Sequence, residues 1–174
     1  MADDGEGTRA LGLRAEVLAA AERYARDFRA GHLGAPAARR LAVVTCMDAR
    51  IDPVRLLGLH VGDAQVIRNA GALATDDVLR SLAVAHWLLG TDRAIVIGHT
   101  DCGLGTFTDD DVRARIAAHP GADAGDVEFL AFDDLEESVR ESVRRISRSS
   151  LLPDSFVAHG FVYEVSTGRV HAVD

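Results

Sequence analysis

Apolar positions change their spacing several times along this chain, and the changes divide it into helices and strands. Over Leu11–Ala30, Val17, Ala21, Tyr24 and Phe28 recur every three to four residues, the spacing of one helix face. Gly31, Gly34 and Pro36 break that pattern. Leu41–Thr45 is an unbroken apolar, β-branched run, as expected of a parallel strand buried on both faces. Asp52-Pro53 supplies a helix cap and first-turn proline, with Gly58 as the stop. A second strand follows over Ala64–Arg68. Thr75-Asp76-Asp77 then opens a helix reaching Leu89, its acidic residues at the positive end of the dipole. Gly90–Arg93 turns the chain into a third strand, Ala94–Ile97. Next come a short helix over Asp109–Ala118, a loop at His119–Asp126 and an amphipathic helix over Asp133–Ser147. In that last helix Leu135, Val139, Val143 and Ile146 share one face, while Glu136–Arg140 and Glu141–Arg145 pair outside it. Phe156–Val165 and Val170–Val173, around Thr167-Gly168, read as two strands joined by a turn.

This alternation predicts an α/β fold: a mainly parallel central sheet flanked by helices, with a C-terminal antiparallel edge strand. Residues 1–9 read as a disordered tail and 10–174 as a single domain, long enough to bury a sizeable core. A net charge of −8 disfavours nucleic acid and anionic membranes as partners. No stretch approaches the roughly 18 apolar residues of a membrane span, and the acidic start does not resemble a signal peptide. Two cysteines cannot build a disulfide framework and point instead to metal binding or catalysis in a reducing compartment. A cytoplasmic location is expected. All nineteen basic residues are arginine, so lysine chemistry, Schiff bases and P-loop phosphate binding included, is excluded.

Two short blocks carry the candidate chemistry: Thr45-Cys46-Met47-Asp48-Ala49-Arg50 and Gly98-His99-Thr100-Asp101-Cys102-Gly103. Each follows a predicted buried strand, and sites in parallel sheets collect beyond the carboxyl ends of the strands. Cys46, His99 and Cys102 would form a three-ligand zinc site, the open pattern of catalytic zinc, whose fourth position is left to water. Both cysteines as buried packing residues are the plain alternative; a redox pair lacks a C-x-x-C partner, and Cys46 to Arg50 is too short for a phosphate cradle. In extended chain Cys46, Asp48 and Arg50 point the same way, so a guanidinium fork could hold the Asp48 carboxylate ionised beside the metal. The alternative there is a surface ion pair of little consequence. Asp101 reads as a turn or helix-cap residue, or as an acceptor supporting the ligands. Asp109–Asp111 read as a helix start. His32, His60, His86, His119, His159 and His171 lack partners in sequence, and Trp87 reads as a core residue.

Cys-x-Asp-x-Arg at 46–50, His-x-x-Cys at 99–102 and Arg-Asn-Ala-Gly at 68–71 together resemble the β-class carbonic anhydrases. Order and spacing agree over about 38–165, including Val66–Gly71, Thr75–Ser81 and Phe161-Val162. Thr-Asp-Cys-Gly at 100–103 and Thr-Phe-Thr-Asp-Asp-Asp at 106–111 are similar to the small mycobacterial-type members. The resemblance implies one Zn2+ per subunit on Cys46, His99 and Cys102, with Asp48 as a fourth ligand in a closed state. It implies reversible hydration of CO2 to bicarbonate and a proton by a zinc-bound hydroxide that the Asp48–Arg50 dyad orients. It further implies a homodimer or higher homo-oligomer in which the helix at 10–30 packs on the partner subunit. Hydrolysis of carbonyl sulfide or carbon disulfide on the same site, and a non-catalytic zinc-binding regulatory protein, are the alternatives. Members with an allosteric bicarbonate site carry Trp three residues before the first cysteine; Val43 stands there, so that inhibition is not expected.

Overall fold

The computed structural model describes residues 5–174, with side chains from residue 12 onward. The chain divides into two compact units, Met1–Leu33 and Gly34–Asp174. The first holds helix α1, Gly5–Asp27. It begins inside the stretch read as a tail, where Glu6, Arg9, Ala10 and Leu11 are good helix formers. Residues 1–4 of that expected tail lie outside the described residues. Val17, Tyr24 and Phe28 of this unit are exposed, with the Tyr24 and Phe28 rings 5.6 Å apart.

In the second unit β1 is Leu41–Cys46, α2 Pro53–Leu56, β2 Ala64–Asn69, α3 Asp76–Leu89, β3 Arg93–His99, α4 Asp109–Ala117, α5 Leu135–Ser147, β4 Val157–Tyr163 and β5 Val170–Val173. The five strands form one sheet in the order β2-β1-β3-β4-β5, parallel except for the antiparallel β4–β5 edge. The α/β architecture is the one the pattern predicts. Caps fall at the predicted punctuation. Asp52 accepts from the Arg55 amide with Pro53 at the first turn, Thr75 caps α3, and Gly90 ends it at φ +74.

One face of the sheet, through Ala42, Val44, Val96 and Val162, packs with Val78 and Leu82 of α3 and Val139 and Ile146 of α5. On the other, Val43 and Ile97 pack with Leu59 and Leu56 and with Phe161 of the neighbouring β4. Helix α5 comes close to the sheet because Gly98 and Gly160 have no side chains: a Cβ there would meet Val139 methyls at 2.7 and 2.6 Å. Trp87 is a correction. It is 64% exposed, its Nε1 donating to the Leu151 carbonyl at 2.9 Å. The inward stripe of α3 is Val78, Leu79, Leu82 and Ala85. Two residues past Ala85 rotate a side chain by roughly 200°, which turns Trp87 outward.

Candidate metal centre

Cys46 is the last residue of β1 and His99 the last of β3, so parallel pairing of these neighbours delivers both to one end of the sheet. Thr45 ties the strand ends further, its buried hydroxyl donating to the Ile97 carbonyl at 3.0 Å. Cys102 arrives by a tight turn in which Asp101 adopts a left-handed φ of +55. Aspartate tolerates this conformation better than most residues. All three side chains are buried, His99 at 1% exposure, and their donor atoms lie within 4.8 Å of one another. Both cysteines are free, and the sequence-predicted trio is thereby brought together.

The chemistry of this set suits a soft dication. His99 Nδ1 lies 2.9 Å from the Thr100 carbonyl, to which it donates, so Nε2 carries the lone pair. Nε2 is buried and has no hydrogen-bond partner among the described residues. Leaving a buried polar atom unmatched costs about 1–3 kcal/mol. Burial, above all, pushes the Cys102 thiol up to about 11, with Cys46 adding to the rise and the Leu104 amide opposing it. Two free, buried thiols beside a ring nitrogen left without a partner are a donor set that an inserted cation would satisfy.

Asp48 and Arg50 meet differently from the extended alternation expected. The chain turns after Met47, with the Ile51 amide donating to the Asp48 carbonyl at 3.1 Å and the Arg50 amide to Asp48 Oδ1 at 2.9 Å. The turn, rather than strand periodicity, sets Arg50 against Asp48: Nε donates to Oδ1 at 2.9 Å and Nη2 to Oδ2 at 2.7 Å. This fork, followed by the Arg50 amide, holds the Asp48 carboxyl well below the usual carboxylate range. Asp48 Oδ2 stands 3.9 Å from His99 Nε2, facing Arg50 and outside the three-donor set.

One role escaped the sequence, and a second, read there only as a turn residue or an unspecified acceptor, gains its partner. Arg68 donates to the Cys46 carbonyl at 3.0 Å and to the Asp48 carbonyl at 2.7 Å, fixing the ligand loop by its backbone. Asp101, besides making the turn, accepts from Arg50. Neither pairing has a local spacing that would announce it; each joins residues twenty or more positions apart. Asp109–Asp111 start α4 as predicted, through a capping box between Thr108 and Asp111. An open cleft of about 400 Å³ adjoins Cys46, Asp48 and Cys102, walled by Met47, Gly71, Leu104, Phe107, Val112 and Phe129. Gly71, at φ +80, has no room for a side chain: a Cβ would stand 2.7 Å from Leu104.

Fold and site thus define an α/β protein with a buried Cys–His–Cys centre at the carboxyl ends of two adjacent parallel strands. A family model described as carbonic anhydrase matches residues 41–118. Beta-carbonic anhydrase 1 of Mycobacterium tuberculosis is 44% identical over 150 residues, covering 86% of this chain and 91% of that protein. Carbonic anhydrase from Streptococcus mutans superposes with a TM-score of 0.87 at 41% identity, over 92% of this chain and 96% of that one. A carbon disulfide hydrolase of Acidianus is 33% identical, covering 79% of this chain and 78% of that protein. The chain belongs to the β-carbonic anhydrase family.

Proposed function

We propose that this chain is a zinc enzyme that interconverts carbon dioxide and bicarbonate, with Cys46, His99 and Cys102 holding the ion and Asp48 and Arg50 orienting the reacting water. The carrying observation is the buried donor trio, its His99 Nε2 unmatched, beside a carboxylate clamped by a guanidinium. A zinc ion held there would supply Lewis acidity that lowers the pKa of water and so makes a nucleophile available. Asp48, kept ionised by Arg50, is purely an acceptor, so it engages the reacting oxygen only while that oxygen carries a hydrogen. That hydrogen bond leaves a lone pair free to face the carbon of the substrate. Leu104, Phe107, Val112 and Phe129 offer a small neutral molecule contact without charged anchors.

The mycobacterial relative, 44% identical, is named for carbonic anhydrase activity, which favours CO2. Carbon disulfide is the second reading, favoured by the Acidianus relative. Stopped-flow CO2 hydration, run beside hydrogen sulfide release from carbon disulfide, separates them: we expect fast hydration and negligible sulfide. Sulfide release without hydration reverses the assignment. The same reading includes a homodimer or larger homo-oligomer with α1 packed on the partner subunit, which the exposed apolar side chains of that helix support. Two free thiols suit a reducing, cytoplasmic setting. No helix among the described residues is long and apolar enough to cross a membrane.

A further inference from the structure

Arg50 touches both ligand-bearing loops through hydrogen bonds of its guanidinium. On its own loop it forks onto Asp48. Across to the other loop, Nη1 donates to Asp101 Oδ2 at 2.6 Å and Nη2 donates to the Asp101 carbonyl at 2.9 Å. Four N–H groups are therefore committed, although the Arg50 side chain is half exposed. A single ion pair at such a position contributes little and leaves the side chain mobile. Two carboxylates and a carbonyl around one planar fork fix its orientation instead. Asp101 lies between His99 and Cys102, so the contact also ties their turn to the Cys46–Arg50 loop.

From this geometry we infer that Asp101 is a positioning residue: its carboxylate anchors Arg50 so that Arg50 presents Asp48 to the donor trio, and the same contact braces the turn carrying His99 and Cys102. The inference deepens the proposed function and rests on it for its kinetic consequence. Its mechanical consequence stands apart, because bracing of the ligand turn acts whatever substrate the site takes.

The left-handed φ of +55 dictates the variants. Alanine is strained there, so its effect would mix backbone and side chain. Glycine accepts the conformation and deletes only the carboxylate. Asparagine accepts it too, and keeps an oxygen that can receive the Nη1 hydrogen bond. In zinc-loaded protein we expect Asp101→Gly to lower kcat for CO2 hydration about tenfold, the size of one lost charge-assisted hydrogen bond, with KM changed less than about twofold. Asp101→Asn should recover most of that loss. Zinc transfer to a chromophoric chelator should be several-fold faster from Asp101→Gly than from wild type, and near wild type from Asp101→Asn. The Arg50 Nε–H resonance, protected from solvent exchange in wild type, should broaden in Asp101→Gly. Wild-type kcat, chelator rates and Arg50 exchange in Asp101→Gly would overturn the inference, as would an Asp101→Asn protein no better than Asp101→Gly. Wild-type protein that binds zinc yet never hydrates CO2 would overturn the proposed activity instead, leaving chelator and exchange rates to judge the clamp.

Discussion

At the level of single residues, the balance to be explained is between Asp48 as a surface anion and Asp48 as a working acceptor. A carboxylate hydrogen-bonded only by water would sample many orientations, whereas the Arg50 fork and amide leave it one. Orienting groups of this kind contribute about 10²–10⁴-fold to rate. Asp48→Ala should therefore cut CO2 hydration at least a hundredfold, about the lower end of that range, with zinc content unchanged. Loss of zinc together with activity would show that Asp48 supports the metal centre. Arg68 is predicted to act through backbone: Arg68→Ala releases the Cys46 and Asp48 carbonyls, and should weaken zinc retention while leaving the Asp48–Arg50 fork in place. Chelator competition checks this, and unchanged retention would count against it. The meeting of Cys46, His99 and Cys102 and the pairing of Asp48 with Arg50 were anticipated in the sequence because each motif is short. The Arg68 contacts were not, and Asp101, read as a turn residue or an acceptor, had no named partner, since these pairings are set by how β1, β2 and β3 end side by side.

At the level of elements, strand and helix order followed from periodicity, and the helix starts at Asp52, Thr75 and Asp109 fell where side-chain chemistry placed them. What periodicity could not give was rotation and turn geometry. Trp87 sits in an apolar-looking helix but faces out, and the residues after Met47 turn where extended alternation was expected. Glycines in β3 and β4 likewise read as neutral until α5 is packed on them. Gly160→Ala would press a methyl to 2.6 Å from Val139, an overpacking that costs about 1–3 kcal/mol. We expect its thermal midpoint to drop by several degrees; an unchanged midpoint would mean that α5 shifts freely.

Helix α4 supplies the pH-dependent element. The Asp109 carboxylate receives the Phe129 and Ala131 amides at 2.8 and 3.0 Å, and the amides of Ala131 and Phe129, in that order, hold its carboxyl below the ordinary range, with Leu130 adding less. Arg113 fastens the same segment through the Gly125 and Val127 carbonyls. Because the folded pKa is depressed, this contribution is complete above the unfolded aspartate value and is lost as pH falls through the folded one. Acidification should thus speed proteolysis between His119 and Ala131 in wild type. In Asp109→Ala the same cleavage should be fast already at neutral pH and respond less to acid. Equal cleavage of both proteins at every pH would contradict this tether, which holds Phe129 in the wall of the cleft.

At the scale of the whole molecule, the second unit has a sheet whose central strands β1 and β3 are buried, carrying a donor trio at one end and an apolar cleft beside it. The first unit differs, since an exposed helix bearing Leu13, Val17, Leu18, Tyr24 and Phe28 leaves apolar surface in water. Assembly would bury it. Sedimentation should therefore give a mass that is a multiple of 18.6 kDa, and a chain truncated before Gly34 should dissociate. A wild-type monomer at micromolar concentration would refute the assembly without touching the site.

Titrating metal-free protein with zinc while following CO2 hydration by stopped flow reaches the heart of the matter. We expect the rate to rise in proportion to zinc and to level off at one ion per chain, with no such rise when Cys46 is replaced by serine. Fully zinc-loaded wild-type protein that leaves the hydration rate at its uncatalysed value from neutral to alkaline pH would contradict the proposal outright.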